Sequence, residues 1–221
     1  MKLWFSADTH FNHANILKYV GRTEFMTKED KELYEIYKNK SQEEQRKFAI
    51  SFESLDKMNK ELIRRWNERV KPEDLVIFVG DFIFKNSPGG KKGEGLPIKP
   101  TEIEKKLNGK ILFCKGNHDG NNGVKTPIER LVIRYGGKRI NIVHNPAHVD
   151  PNYKINLVGH VHLAWQIKRI KTSFGFTDAI NVGVDCWNFY PVSFEEIMKR
   201  YYKWKRKQEH GEQNKHKKNS K

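Results

Sequence analysis

Leu75-Val-Ile-Phe-Val79-Gly80-Asp81 decides how the whole chain is read. Five apolar residues, three of them β-branched, make a strand buried on both faces, and it stops on a glycine and a carboxylate. The same pattern recurs elsewhere. Lys2–Ala7 runs into Asp8-Thr9-His10, and Lys110–Cys114 runs into Lys115-Gly116-Asn117-His118-Asp119. Arg139–Val143 stops at His144, and Ile155–Val158 stops at Gly159-His160-Val161-His162. In α/β sheets, ligands bind beyond the carboxyl ends of strands, where loops from different strands meet. Five polar endings in one chain therefore predict one shared site.

Those endings supply carboxylate oxygen, amide oxygen and imidazole nitrogen, with no cysteine. A mixed N/O set suits Mn, Fe, Zn, Ni or Co and is poor for Ca or Mg alone. In extended backbone, residues i and i+2 point the same way, so D-x-H and H-x-H each predict two side chains facing one cavity. Gly80, Gly116 and Gly159 each precede a candidate ligand, where a residue without Cβ permits a sharp turn and close approach.

Helical patterning fills the intervals. Phe48, Phe52, Leu55, Leu62 and Trp66 recur at helical spacing, predicting one long amphipathic helix over much of 42–69. Ser41-x-x-Glu44 and Ser193-x-x-Glu196 read as capping boxes. Residues 28–52 are charge-rich and predict a helical elaboration. Residues 86–100, with four Gly, three Pro and three Lys, predict a loop, and no GK[ST] makes it a phosphate-binding P-loop. A hairpin is expected around Gly136-Gly137, with arms 130–135 and 139–143.

Composition bounds the rest. The 221 residues suffice for one domain, expected at 1–198, followed by a basic tail at 199–221. Net charge is +15, so the protein attracts anions, and about half of the excess lies in that tail. The tail's last eleven residues, GEQNKHKKNSK, read as disordered. Its start, Lys199–Lys207, interleaves aromatics with cations. That suits nucleic acid, and equally a helix end with solvated cations. Cys114 and Cys186 read as free thiols in a reducing compartment. No signal peptide or membrane span is expected, which makes the cytoplasm the default location.

The ordered set D-x-H, G-D, G-N-H-[D/E], H and G-H-x-H is that of the calcineurin-like metallophosphoesterases, which the chain resembles over roughly residues 3–195. Within that family it looks closest to small bacterial and phage-type enzymes. The similarity lies in DTHFxHxNI from Asp8, the stretch Met58–Asp81, and NVGVDxWNxxPVS from Asn181. The resemblance implies a four-layer αββα sandwich of two mixed β-sheets, with a dinuclear metal site at the strand ends. It implies two divalent transition-metal ions, manganese foremost, with Fe, Zn, Ni or Co open. One would take Asp8, His10 and His162, the other Asn117, His144 and His160, with Asp81 bridging. A metal-bridging hydroxide would attack phosphorus while His118 protonates the leaving oxygen and Asp119 holds its ring. His13, five residues after Asp8, is a candidate phosphate contact.

The resemblance also sorts functions. Gly80-Asp81-Phe82-Ile83-Phe84-Lys85 lacks the GDxxDRG of protein phosphatases, and Asp119 replaces the Glu of their GNHE. Phosphodiester or phosphomonoester hydrolysis, including nucleotides, leads. A nuclease using the basic tail as a docking arm is the alternative, and a non-catalytic scaffold ranks last because every ligand is kept. Asp185 reads as structural. Arg22, Lys85, Lys91, Lys92 and Lys115 read as solvated charges with phosphate contact open. Trp187, Phe189 and Tyr190 read as packing, with stacking on a substrate ring the alternative. His148, His210 and His216 read as solvated or core side chains. The oligomeric state is not readable.

Overall fold

The structure is a computed structural model that describes residues 1–85, 95, 97–122 and 124–219. Lys91, Lys92 and most of the expected 86–100 loop lie outside the described residues. The strands are β1 Leu3–Ser6, β2 Leu75–Val79, β3 Lys110–Cys114, β4 Arg130–Tyr135, β5 Lys138–Val143, β6 Ile155–Val158, β7 Ile167–Thr172, β8 Gly175–Asn181 and β9 Val192–Ser193. The helices are α1 Ile16–Val20, α2 Lys28–Tyr37, α3 Gln42–Lys47, α4 Phe52–Arg69, α5 Pro100–Glu104, α6 Asp119–Asn122 and α7 Phe194–Asn219.

One sheet has the order β3-β2-β1-β9, parallel through its first three strands and antiparallel at β9. The other has the order β4-β5-β6-β8-β7, parallel through β5, β6 and β8 and antiparallel at both edges. Both are mixed, and they pack face to face as the expected α/β sandwich. Pleat alternation builds the shared core. Phe5, Ile77 and Val79 meet Ile140, Ile142, Ile155, Leu157 and Ile180 between the sheets. On the outer face of the first sheet, Trp4, Val76 and Phe78 pack with Leu17 of α1 and Leu55, Met58, Leu62 and Trp66 of α4. Cover on both faces is why β2 is apolar at every position. Phe194, Ile197, Met198 and Tyr201 of α7 join the inter-sheet core.

Two helical expectations need correction. The predicted helix over 42–69 is two helices, because Ser51 starts a new one by accepting from the Ser54 N–H. Phe48 and Ile50 between them turn into the core. The tail is also not a separate disordered segment: α7 runs unbroken from Phe194 to Asn219, across the boundary expected at 198. Burial of its first turns extends a helix that the polar composition alone does not predict. None of the helices among the described residues is long and apolar enough to cross a membrane.

The charge-rich 28–52 segment is tied down at one residue. Buried Asp30 of α2 accepts from the Ser51 N–H at 3.0 Å, the Ser51 hydroxyl at 2.6 Å and the Ser54 hydroxyl at 2.5 Å. It thereby fastens α2 to the start of α4. Asp30→Ala strands these donors and is expected to cost about 2 kcal/mol. The check is a urea midpoint that falls at unchanged slope; an unmoved midpoint would remove Asp30 from this role.

Candidate metal centre

The polar endings converge. Asp8, His10 and His162 place ligand atoms within 4.8 Å of one another, and Asp81, His144 and His160 do the same. Asn117 Oδ1 lies 2.9 Å from His144 Nε2 and 2.9 Å from His160 Nδ1, so it joins the second group. Asp81 Oδ2 is 3.3 Å from His144 Nε2 and 3.7 Å from His10 Nε2, facing both groups at once. The structure thus gathers all seven residues singled out from the sequence.

The backbone that does this is not extended, as D-x-H and H-x-H spacing had suggested. Asp8, His10, Asp81, His160 and His162 all have positive φ, between 46° and 73°. Non-glycine residues in that region are strained by about 1–3 kcal/mol each and persist only where surroundings over-determine them. Those surroundings are crowded. A Cβ on Gly116 would lie 2.2 Å from Asp81 Oδ1, and one on Gly80 (φ +85°) would lie 2.5 Å from His144 Nδ1. Loops from two sheets meet so closely that each strand must turn sharply to aim its ligand.

A further layer orients the ligands. His144 Nδ1 lies 2.8 Å from the Val79 carbonyl, so its N–H donates there and Nε2 faces the site. His162 Nδ1 donates to Asp185 Oδ2 at 2.8 Å, and Arg22 grips the same carboxylate through Nε at 2.8 Å and Nη2 at 3.1 Å. Arg22 also donates to the carbonyls of Asp8 (2.7 Å) and Thr9 (2.8 Å). Its solvated reading is therefore wrong: Arg22 is buried beneath the site. Asp185, structural by the sequence alone, is a positioning residue for His162. The signal was present, since β8 followed by Val182-Gly183-Val184-Asp185 repeats the strand–glycine–carboxylate pattern of Val79-Gly80-Asp81.

Asp119 is buried beside two ligand loops. Its carboxylate accepts the backbone N–H groups of Asp81 (3.0 Å), Phe82 (3.1 Å) and Gly116 (2.7 Å), locking two ligand loops together. His118 is exposed, and its backbone N–H donates to Asp81 Oδ1 at 2.9 Å. His13 stacks on Phe84 at 3.9 Å, with its ring 5.7 Å from that of His10. Burial, then the neighbouring His118, lowers the His13 pKa to about 3, keeping it neutral. Lys85 is exposed, and Lys115 pairs with Glu129. Trp187 donates to the Asn181 carbonyl at 2.9 Å, and Phe189 meets Phe25 edge-on at 4.7 Å. Arg69 sits over the Tyr190 ring at 4.5 Å. Among the described residues, these three rings serve packing.

The sequence matches the calcineurin-like phosphoesterases over residues 1–217. The chain belongs to the calcineurin-like phosphoesterase family. It is 32% identical over 208 residues to MJ1445, an uncharacterized protein of Methanocaldococcus jannaschii, covering 92% of this chain and 93% of that one. Its fold is similar to that of AQ665, a protein of unknown function from Aquifex aeolicus. That likeness has a TM-score of 0.53 at 22% identity and covers 89% of this chain and 97% of AQ665. Membership in the calcineurin-like phosphoesterases makes this chain a metal-dependent phosphoesterase.

The donor set fits the divalent ions the family uses. Both ring nitrogens of buried His10 lack a hydrogen-bond partner among the described residues, an expensive arrangement unless a cation takes one of them. Burial, then the charge of Arg22, holds the His10 pKa well below its usual value, so the ring is a neutral ligand. Burial raises the Asp8 pKa to about 6, leaving it ionised at neutral pH.

His144 is the exception. Burial opposes its charge, but the hydrogen bond to Asp81 and the charges of Asp8 and Asp81 outweigh it, lifting its pKa to about 9. A cation at Nε2 must displace that proton. Mn²⁺ affinity is therefore expected to rise about tenfold per pH unit between pH 7 and 9 and to flatten above. Calorimetric titration of chelator-stripped protein checks this, and an affinity flat across that window would contradict it.

Proposed function

We propose that this calcineurin-like phosphoesterase hydrolyses phosphodiesters, with nucleotide-type esters as its substrate class, at two divalent ions that share Asp81. The observation that carries the reading is the position of Asp81 Oδ2, 3.3 Å from one ligand group and 3.7 Å from the other. Two ions held by these residues, manganese foremost by the family resemblance, would neutralise phosphoryl charge and lower the pKa of a water nucleophile. The chain's own residues supply the rest. Asp185 and Arg22 fix the His162 ring, and Val79 fixes that of His144. The backbone bond from His118 to Asp81 sets the His118 imidazole beside the bridge, where it gives a proton to the leaving oxygen. His13, neutral and stacked on Phe84, is a candidate contact for a phosphoryl oxygen. Asn117, His118 and His160 are all exposed, so the site is open to solvent, which leaves room for a second ester group.

The test is a substrate panel with Mn²⁺-loaded protein: mono- and diesters, cyclic nucleotides, and short DNA and RNA. Diesters and cyclic nucleotides should be hydrolysed faster than monoesters, and a protein active only on monoesters would overturn the diester preference.

One observation favours a nuclease as the second reading. Arg200 and Lys203 line two adjoining clefts along α7, of about 320 and 410 Å³, the first of them also lined by Trp204. Cations beside an indole ring suit a nucleic-acid strand. In that case oligonucleotide binding should weaken steeply with salt and fall in a Lys203→Glu/Lys207→Glu variant.

A further inference from the structure

The second sheet carries another cleft at the end away from the candidate metal ligands. β5 opens at Lys138 and β6 near Lys154, whereas His144 and His160 follow their far ends. A six-residue strand spans roughly 20 Å, so the two places are separate. The cleft has a volume of about 510 Å³, in the range of small-molecule sites. It lies between the β4–β5 turn, the segment before β6, and α7. Gly136 and Gly137 both have positive φ (54° and 71°), as a two-residue hairpin turn favours. A Cβ on Gly136 would come 2.3 Å from the Phe194 ring, so the turn is pressed against the start of α7. Lys138 then lies beside Tyr202, one helical stretch further along, and Arg139 beside Tyr153.

Charge and aromatic surface meet there. Lys138, Arg139 and Lys154 line the cleft, and none pairs with a carboxylate among the described residues. The fourth cation, Lys205, is held 3.3 Å from Asp178, which also accepts from the Tyr201 hydroxyl at 2.7 Å. The floor is thereby neutralised and the rim is left positive, with Glu209 the one carboxylate among the described lining residues. Lys138 Nζ lies 5.8 Å from the Tyr202 ring and Arg139 lies 5.2 Å from the Tyr153 ring. Tyr202 is 49% exposed, unusual for a large aromatic packed on a core helix.

We propose that this cleft binds a nucleotide, its phosphates on Lys138, Arg139 and Lys154 and its base on the Tyr202 ring. Three cations from two elements, Arg139 held only by the Tyr153 hydroxyl at 3.4 Å and none facing a carboxylate among the described residues, repel one another, and a diphosphate or triphosphate relieves that repulsion. An exposed ring beside them gives the base a stacking surface that inorganic phosphate could not use. Nothing in this assignment depends on the chemistry at the metals.

The test is calorimetry of the metal-loaded full chain with α,β-methylene ADP, and separately with methylene bisphosphonate, which carries the phosphate charge without a base. In Lys138→Glu/Arg139→Glu protein the nucleotide should bind about tenfold or more weakly, while hydrolysis of bis(p-nitrophenyl) phosphate stays at the wild-type rate. Tyr202→Ala should weaken the nucleotide several-fold and leave the bisphosphonate unchanged. Unchanged nucleotide affinity in the double variant, or equal losses for both probes in Tyr202→Ala, would overturn the assignment. So would a single-stranded RNA that binds through these residues far more tightly than the nucleotide.

Discussion

Asp81→Asn is expected to lower phosphodiester turnover about a thousandfold while leaving the fold intact. The substitution keeps the size of the side chain and an oxygen able to accept the His118 N–H, now at 2.9 Å from Oδ1. What it removes is the charge at Oδ2, the atom that faces both ligand groups. In its place it sets an amide NH₂ toward His10 Nε2 and His144 Nε2, where a donor has no metal to bind. Turnover of a model diester at saturating Mn²⁺, beside a thermal melt, checks this. A variant within tenfold of wild type would mean that Asp81 does not bridge.

That residue was legible in the sequence because an apolar strand that stops on a polar cluster marks a site, and five such polar endings in one chain point to one place. The strand limits were legible for the same reason: β2, β3 and β6 are short, apolar and bounded by turn or site residues. The conformation of the ligands was not. Spacing in D-x-H and H-x-H suggests extended backbone, yet the ligands have positive φ and sit against loops remote in sequence, such as Gly116 against Asp81. Arg22 was illegible for a similar reason. Its partner Asp185 is 163 residues away, and nothing in the segment Gly21-Arg22-Thr23 marks a buried cation. The fate of the tail was hidden by composition. A polar run with a glycine reads as a stop, whereas the helix is set by the burial of Phe194, Ile197, Met198 and Tyr201 at its start.

The second large effect is expected at Arg22. In Arg22→Met the carbonyls of Asp8 and Thr9 lose their donor, and Asp185 is left charged in a buried place with only His162. Breaking a buried pair from one side costs about 3–5 kcal/mol, which for a chain of this size lowers the melting temperature by about 10 °C. Arg22→Lys keeps the charge but not the two-pronged grip, so it should recover only part of the loss. There is a pH signature as well. Burial works against the Asp185 charge, but Arg22 outweighs it and holds the pKa to about 2. Because that pKa is depressed, the stabilisation is complete above about pH 4 and is lost as pH falls toward 2. Removing Arg22 should flatten that acid-side slope. Asp185→Asn separates stability from site geometry, since it frees the His162 ring and should weaken Mn²⁺ binding about tenfold to a hundredfold. A melting temperature unchanged in Arg22→Met would show that the pair is not what holds Asp8 and His162 in place.

Two ions sharing the Asp81 carboxylate would show directly in the metal stoichiometry of turnover. Chelator-stripped protein is titrated with Mn²⁺ while hydrolysis of bis(p-nitrophenyl) phosphate is followed. The rate should be near zero without metal and reach its plateau at two equivalents per chain. A plateau at one equivalent, or full activity in the stripped protein, would contradict a dinuclear centre built on Asp81.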